Sequence, residues 1–215
     1  MIIDIRSISK KLGSQYVLED ISLQLESGQI YGIKGRNGAG KTMLMRAICG
    51  LIRLTEGEIL VDGEVLRKDI SFPRSIGALI ETPGFINNFS GYENLKIITS
   101  IKGIVSDEKI KETMELLGLD PRDKKPFRKF SLGMKQKLGI AAAIIEEPEL
   151  IILDEPTNAL DEKSRQSLKD ILERLRDKNT LIIVSCHDTE DLLELSDQII
   201  EMQEGRIVSQ WKVKQ

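Results

Sequence analysis

The 215-residue sequence predicts an α/β fold: a mainly parallel sheet flanked by helices, with an N-terminal antiparallel β-subdomain and an inserted α-helical subdomain. Three observations predict it. A glycine-rich octapeptide, GRNGAGKT at 35–42, separates a strand pattern from a helix pattern. An apolar run that ends in two carboxylates, LIILDE, occupies 150–155. Between them the chain turns helical, so a core formed by 1–87 and 147–215 is interrupted by an insert at 88–146.

Each element follows from its local pattern. Residues 2–9 (IIDIRSIS) and 17–25 (VLEDISLQL) alternate apolar and polar, as antiparallel strands joined by a turn at Gly13-Ser14 do. QIYGIK at 29–34 reads as a strand, and KTMLMRAICG at 41–50 as a helix closed by Gly50. GEILVD at 57–62 is a strand followed by a turn at Gly63, and IGALI at 76–80 is a short buried strand. The insert holds helical segments at 92–101, 106–117 and 132–146. Ser106 is placed to cap the second, with Asp107 and Glu108 in its first turn and Gly118 as its stop. The core resumes with a strand at 150–153, a helix at 162–176, a strand at 180–185, a helix at 189–195 and a hairpin around Glu204-Gly205. Strands alternating with helices imply parallel pairing.

Composition narrows the function classes. A net charge of −3 excludes a nucleic-acid binder driven by bulk charge. Cys49 and Cys186, the two cysteines, fit buried thiols of a reducing compartment, and their spacing suggests no metal site. The longest apolar stretches, 138–145 and 181–184, fall far short of a bilayer span of roughly 20 residues. The N-terminus lacks a signal-peptide layout. No direct membrane insertion is expected, and any membrane role comes through a partner.

GRNGAGKT has the form GxxxxGK[ST], a phosphate-binding loop, or P-loop. Its glycines allow backbone N–H groups to turn inward around a polyphosphate, and the following helix points its positive end at the anion. Gly35, Arg36, Asn37, Gly38, Ala39, Gly40 and the adjoining Met43 are therefore candidate nucleotide contacts. Lys41 reaches for the β- and γ-phosphates, and the Thr42 hydroxyl is a candidate Mg²⁺ ligand. The core is thus that of a P-loop NTPase. In such a sheet LIILDE brings its carboxylates to the strand ends beside the loop. Asp154 there holds Mg²⁺ through water, and Glu155 polarises an attacking water.

Further motifs bring a resemblance. FSLGMKQKL at 130–138 resembles the signature motif of ATP-binding cassette ATPases, commonly LSGGQ followed by a basic helical run. NALD at 158–161, ending in Asp161, looks like that family's D-loop. His187, the single histidine, stands just past the strand LIIVSC where the family has its switch histidine. SDQIIEMQEGRIV is similar to the family's closing hairpin. The resemblance implies two ATP-binding subunits closing head to tail around ATP and Mg²⁺, with Ser131, Gly133 and Met134 of one capping the γ-phosphate held by the other. It implies an integral-membrane permease as partner, a second ATPase subunit (a homodimer), and a place on the cytoplasmic face of the cell membrane. His187 then contacts the γ-phosphate and orients the water near Glu155.

The chain departs from that pattern in three places. Leu132 and Met134 replace a usual glycine and glutamine of the signature. The family's Mg²⁺-ligating glutamine, after the strand that precedes the insert, has Glu81 in its place, and no glutamine occurs between Gln29 and Gln136. Glu81 is assigned as a metal ligand and part of the catalytic group, with an added negative charge. Leu12 stands where an aromatic ring usually stacks on adenine, and Tyr16 is the ring nearest to it. IETPGF, FSLGMKQKL and the compact length resemble the bacterial subgroup that exports bacitracin and lantibiotics. Two alternatives stay open beside transport: a translation or DNA-repair cassette, and a regulatory module impaired in hydrolysis. The basic stretch 122–137 is read as a solvated approach to the signature helix. Phe85, Phe89, Tyr92 and Phe127 either line a groove for a helix of the permease or form the insert's own core.

Overall fold

The computed structural model describes residues 1–186 and 188–213. Its centre is a six-stranded sheet in the order β10-β9-β3-β8-β7-β6. The strands are β3 (Gln29–Lys34), β6 (Ile76–Leu79), β7 (Leu150–Asp154), β8 (Leu181–Ser185), β9 (Gln198–Gln203) and β10 (Arg206–Lys212). All neighbours run parallel except the edge pair β9 and β10. A second sheet, order β2-β1-β4-β5, is antiparallel and comprises β1 (Ile2–Leu12), β2 (Gln15–Glu26), β4 (Glu56–Val61) and β5 (Glu64–Val65).

The central strands are buried on both faces, and their alternation sorts the core into two. Ile151 and Leu153 of β7, with Ile182 and Val184 of β8, join one apolar cluster with the helices on that side. Leu150 and Ile152, with Leu181 and Ile183, join another that includes helix α1 (Lys41–Ile48) and the antiparallel sheet. A period of two thus turns each strand into a shared wall, which is why LIIL and LIIV read as continuous apolar runs.

The insert is built from α2 (Gly91–Ser100), α3 (Asp107–Leu116) and α4 (Leu132–Ile144). Ser90 caps α2 with a reciprocal capping box to Glu93, and Ser106 caps α3 by accepting from the Lys109 N–H. The aromatic residues resolve largely into an internal core. Phe127 and Phe130 are buried, Phe85 and Tyr92 pack against the same cluster, and the Phe85–Phe127 and Phe127–Phe130 ring centroids lie 5.1 and 5.7 Å apart. Phe89 remains exposed. Two helices complete the main core: α5 (Glu162–Asp177) and α6 (Thr189–Leu195). Among the described residues no helix is long and apolar enough to cross a membrane.

Several bounds differ from expectation. The first hairpin extends to its turn, because Lys11 pairs with Tyr16 and Leu12 with Gln15 where the alternation has already broken down. Helix α4 ends before 146: Glu147 takes a left-handed φ of 47° ahead of Pro148, which disfavours helix at the residue before it. The two-residue β5 carries no periodic signal.

That turn is also an ion-pair junction. The Glu147 carboxylate meets Lys109 of α3 at 2.6 Å and Lys178, beyond α5, at 2.8 Å. Hydrogen bonds from Lys109 and then Lys178 lower its pKa from 4.5 to about 2. A depressed carboxylate stabilises the fold above its unfolded pKa and loses that contribution as pH falls through its folded one. Denaturant melts at pH 6 and pH 3 should therefore show a smaller pH effect in Glu147→Gln than in wild type, by about 1 kcal/mol or less after solvent screening.

Candidate functional site

The P-loop leaves β3 and enters α1 at one end of the central sheet. Gly40 sits just before α1 with φ 103°, and an added Cβ would lie 2.8 Å from the Val17 carbonyl oxygen. Conformation and space both require glycine there. The Lys41 ammonium turns back into the loop and donates to the carbonyls of Gly35 at 2.8 Å and Arg36 at 3.4 Å. A cavity of about 540 Å³ opens beside the loop, lined by Gly35, Arg36, Asn37, Gly38 and Ala39 and by the β9–β10 turn. Met43 packs partly buried against the core on the antiparallel side.

The next residue joins the loop to the sheet. Thr42 Oγ1 donates to Asp154 Oδ2 at 2.6 Å, and Ser185 Oγ donates to Asp154 Oδ1 at 2.5 Å. Asp154 is 9% exposed and Ser185 fully buried, so this carboxylate is satisfied by hydroxyls rather than by bulk water. The Ser185 hydroxyl also accepts the Glu155 N–H at 3.0 Å. Glu155 itself has φ 53°, an uncommon conformation for a side-chain-bearing residue. Its carbonyl accepts from Gln136 Nε2 at 3.0 Å, and its carboxylate from Asn158 Nδ2 at 2.7 Å. Thr42, Asp154, Glu155 and Glu81 line one cleft of about 350 Å³, together with Leu132 and Lys135.

The structure therefore gathers the loop, Asp154, Glu155 and Glu81 at one end of the sheet. Glu81 is exposed, has φ 61°, and pairs with Arg46 of α1 at 2.7 Å. Tyr16 sits apart from the cavity lining, and the Lys11 ammonium stands 4.3 Å from its ring centroid. Hydrogen bonding to Tyr16 and charge attraction raise the Lys11 pKa. Ser131 caps α4 by accepting from the Met134 N–H, and Met134 packs against the insert's core. Gly133 lies so close to the 158–161 loop that an added Cβ would be 2.6 Å from the Ala159 carbonyl oxygen. Asp161 caps α5, and its hydrogen bonds from Ser164 lower its pKa. His187 lies outside the described residues.

Sequence reasoning missed Ser185, Gln136, Asn158 and Arg46. The available signals were the hydroxyl that ends an otherwise apolar strand at Ser185 and the places of Gln136 and Asn158 within FSLGMKQKL and NALD.

A glycine loop at a strand–helix turn, its threonine bonded to the carboxylate at the end of a neighbouring strand, and a helical insert ending in a capped helix define a P-loop nucleotide-binding cassette. The chain belongs to the ABC transporter family, whose model matches residues 18–158. It is an ATP-binding, ATP-hydrolysing subunit of that family. It is 45% identical over 98% of its length to the uncharacterized ABC transporter ATP-binding protein YybJ of Bacillus subtilis, covering 97% of that protein. It is 39% identical to the bacitracin transport ATP-binding protein BcrA of Enterococcus faecalis, over 100% of this chain and 70% of the relative. It is 38% identical to the lantibiotic transport ATP-binding protein SrtF of Streptococcus pyogenes, over 95% and 88%. The solved structure of an ATP-binding subunit of an ABC transporter superposes with a TM-score of 0.89 at 26% identity, over 99% of this chain and 90% of that one. A dimeric cassette bound to ADP and Pi shares the fold, with a TM-score of 0.89 at 22% identity and 99% coverage of each chain. These relatives favour transport over the two alternatives.

Ser185→Ala would leave Asp154 Oδ1 without its hydroxyl donor, while the Glu155 N–H keeps the carbonyl of residue 185 at 3.1 Å as acceptor. We expect urea denaturation to show a loss of about 1–3 kcal/mol, the cost of an unsatisfied buried polar group, together with reduced phosphate release.

Proposed function

We propose that the chain binds MgATP at the P-loop, closes head to tail with a second copy, and drives a separate permease from the cytoplasmic face of the membrane. The domain division 1–87 and 147–215 for the nucleotide-binding core, and 88–146 for the signature-bearing insert, belongs to the same proposal. One observation carries it: the 2.6 Å bond between Thr42 and Asp154, which joins the phosphate grip to the strand end that bears Glu155.

The donor set fits magnesium. A threonine hydroxyl and a carboxylate are hard oxygen ligands, and Mg²⁺ completes its shell with waters and phosphate oxygens rather than with a protein cage. Among the described residues, no three His, Cys, Asp or Glu side chains are grouped as a metal cage. Thr42, Asp154 through water, and Glu81 would hold the ion. Bound there, Mg²⁺ neutralises charge on the phosphates.

The remaining roles fall to the chain. Lys41 exchanges the Gly35 and Arg36 carbonyls for β- and γ-phosphate oxygens, and the loop N–H groups cradle the phosphates. Glu155, held through its peptide by Ser185 and Gln136 and through its carboxylate by Asn158, accepts the proton of the attacking water. His187 contacts the γ-phosphate. Ser131, Gly133 and Met134 of the second copy cap it, and Asp161 holds the neighbouring loop. Adenine packs near Tyr16 once Lys11 moves off its ring. The 38–39% identity to bacitracin and lantibiotic transport proteins supports a peptide antibiotic as cargo.

Glu155→Gln should bind ATP and run as a dimer on gel filtration with MgATP, whereas Lys41→Ala should neither bind nor release phosphate. A Glu155→Gln protein that stays monomeric while holding ATP tightly would contradict the paired site.

A further inference from the structure

We infer that Arg46 is a positioning residue for Glu81, holding its carboxylate one helical turn away from the metal position and competing with the metal for it. This rests on the proposal that Glu81 ligates Mg²⁺. Thr42 and Arg46 are four residues apart on α1, so they share a helix face and are separated by about 6 Å along the axis. Arg46 Nη2 meets Glu81 Oε1 at 2.7 Å, and Glu81 lines the same cleft as Thr42 and Asp154. The loop after β6 turns through the left-handed Glu81, which fixes where its side chain starts. A short swing along α1 would carry the carboxylate from the guanidinium to the threonine hydroxyl.

Charge explains why such a partner is needed. A glutamine at this position would be neutral. Glu81 makes three carboxylates around one cleft, with Asp154 and Glu155. Lys135 also lines the cleft, but its ammonium lies 5.4 Å from the Phe127 ring centroid, toward the insert. Among the described residues, Arg46 is the cation paired with Glu81. It offsets the added charge while the metal is away, and the metal must displace it to gain the ligand.

The test reads metal binding directly. Mn²⁺ is titrated into the full chain with a non-hydrolysable ATP analogue and followed by electron paramagnetic resonance. Arg46→Gln should tighten Mn²⁺ binding about two- to fivefold, the range an exposed ion pair supports, and Arg46→Lys should stay near wild type. Glu81→Gln should weaken it, and adding Arg46→Gln to Glu81→Gln should then change nothing. Equal tightening by Arg46→Gln with and without Glu81 would mark a bulk-charge effect and overturn the inference. Weakening by Glu81→Gln with no effect of Arg46→Gln would also overturn it while leaving Glu81 a ligand. No effect of Glu81→Gln would remove the ligand reading itself, and the inference with it. Arg46→Met reads the same competition should Arg46→Gln fail to fold.

Discussion

The buried carboxylate of Asp154 is the point through which the site is assembled. A carboxylate at the end of a strand with apolar neighbours on both faces is costly unless its oxygens find donors. Here two hydroxyls supply them, Thr42 from the start of α1 and Ser185 from the end of β8. Because Ser185 also accepts the Glu155 N–H, the same group that satisfies Asp154 sets the next peptide. The P-loop, two adjacent strands and the glutamate beside them are therefore not independently adjustable. A shift in any one disturbs the hydrogen bonds of the others.

That assembly needs the sheet to be a stiff wall, and the two apolar clusters make it one. Alternate residues of β7 and β8 face opposite cores, so the strand ends are clamped from the α1 side and from the insert side together. The insert is also linked to the site through polar contacts. Gln136 of α4 holds the Glu155 carbonyl, and Gly133 at the start of that helix lies against the 158–161 loop. Any motion of α4 thus reaches the peptide of Glu155 without crossing solvent.

What was legible in the sequence is what local pattern encodes. The loop GRNGAGKT, the apolar strand ending in Asp154 and Glu155, and the cap at Ser106 are contiguous signals, and the P-loop architecture follows from them. What was not legible depends on residues distant in sequence. Ser185 meets Asp154 across 31 positions, and Arg46 meets Glu81 through a loop whose course no periodicity sets. The aromatic residues left two options open because composition does not say which rings face each other. Phe127 packs against both Phe85 and Phe130. Tyr16 was legible as the ring nearest Leu12, but its stacking with Lys11 comes from cross-strand register.

The inward-turned Lys41 bears on the thermodynamics of nucleotide capture. Its ammonium is already stripped of most water and held by two backbone carbonyls, so it has met its desolvation cost before any phosphate arrives. In the proposed binding mode, capture is a swap of oxygen partners on this cation. In that mode each phosphate contact of Lys41 is measured against a carbonyl that must be let go.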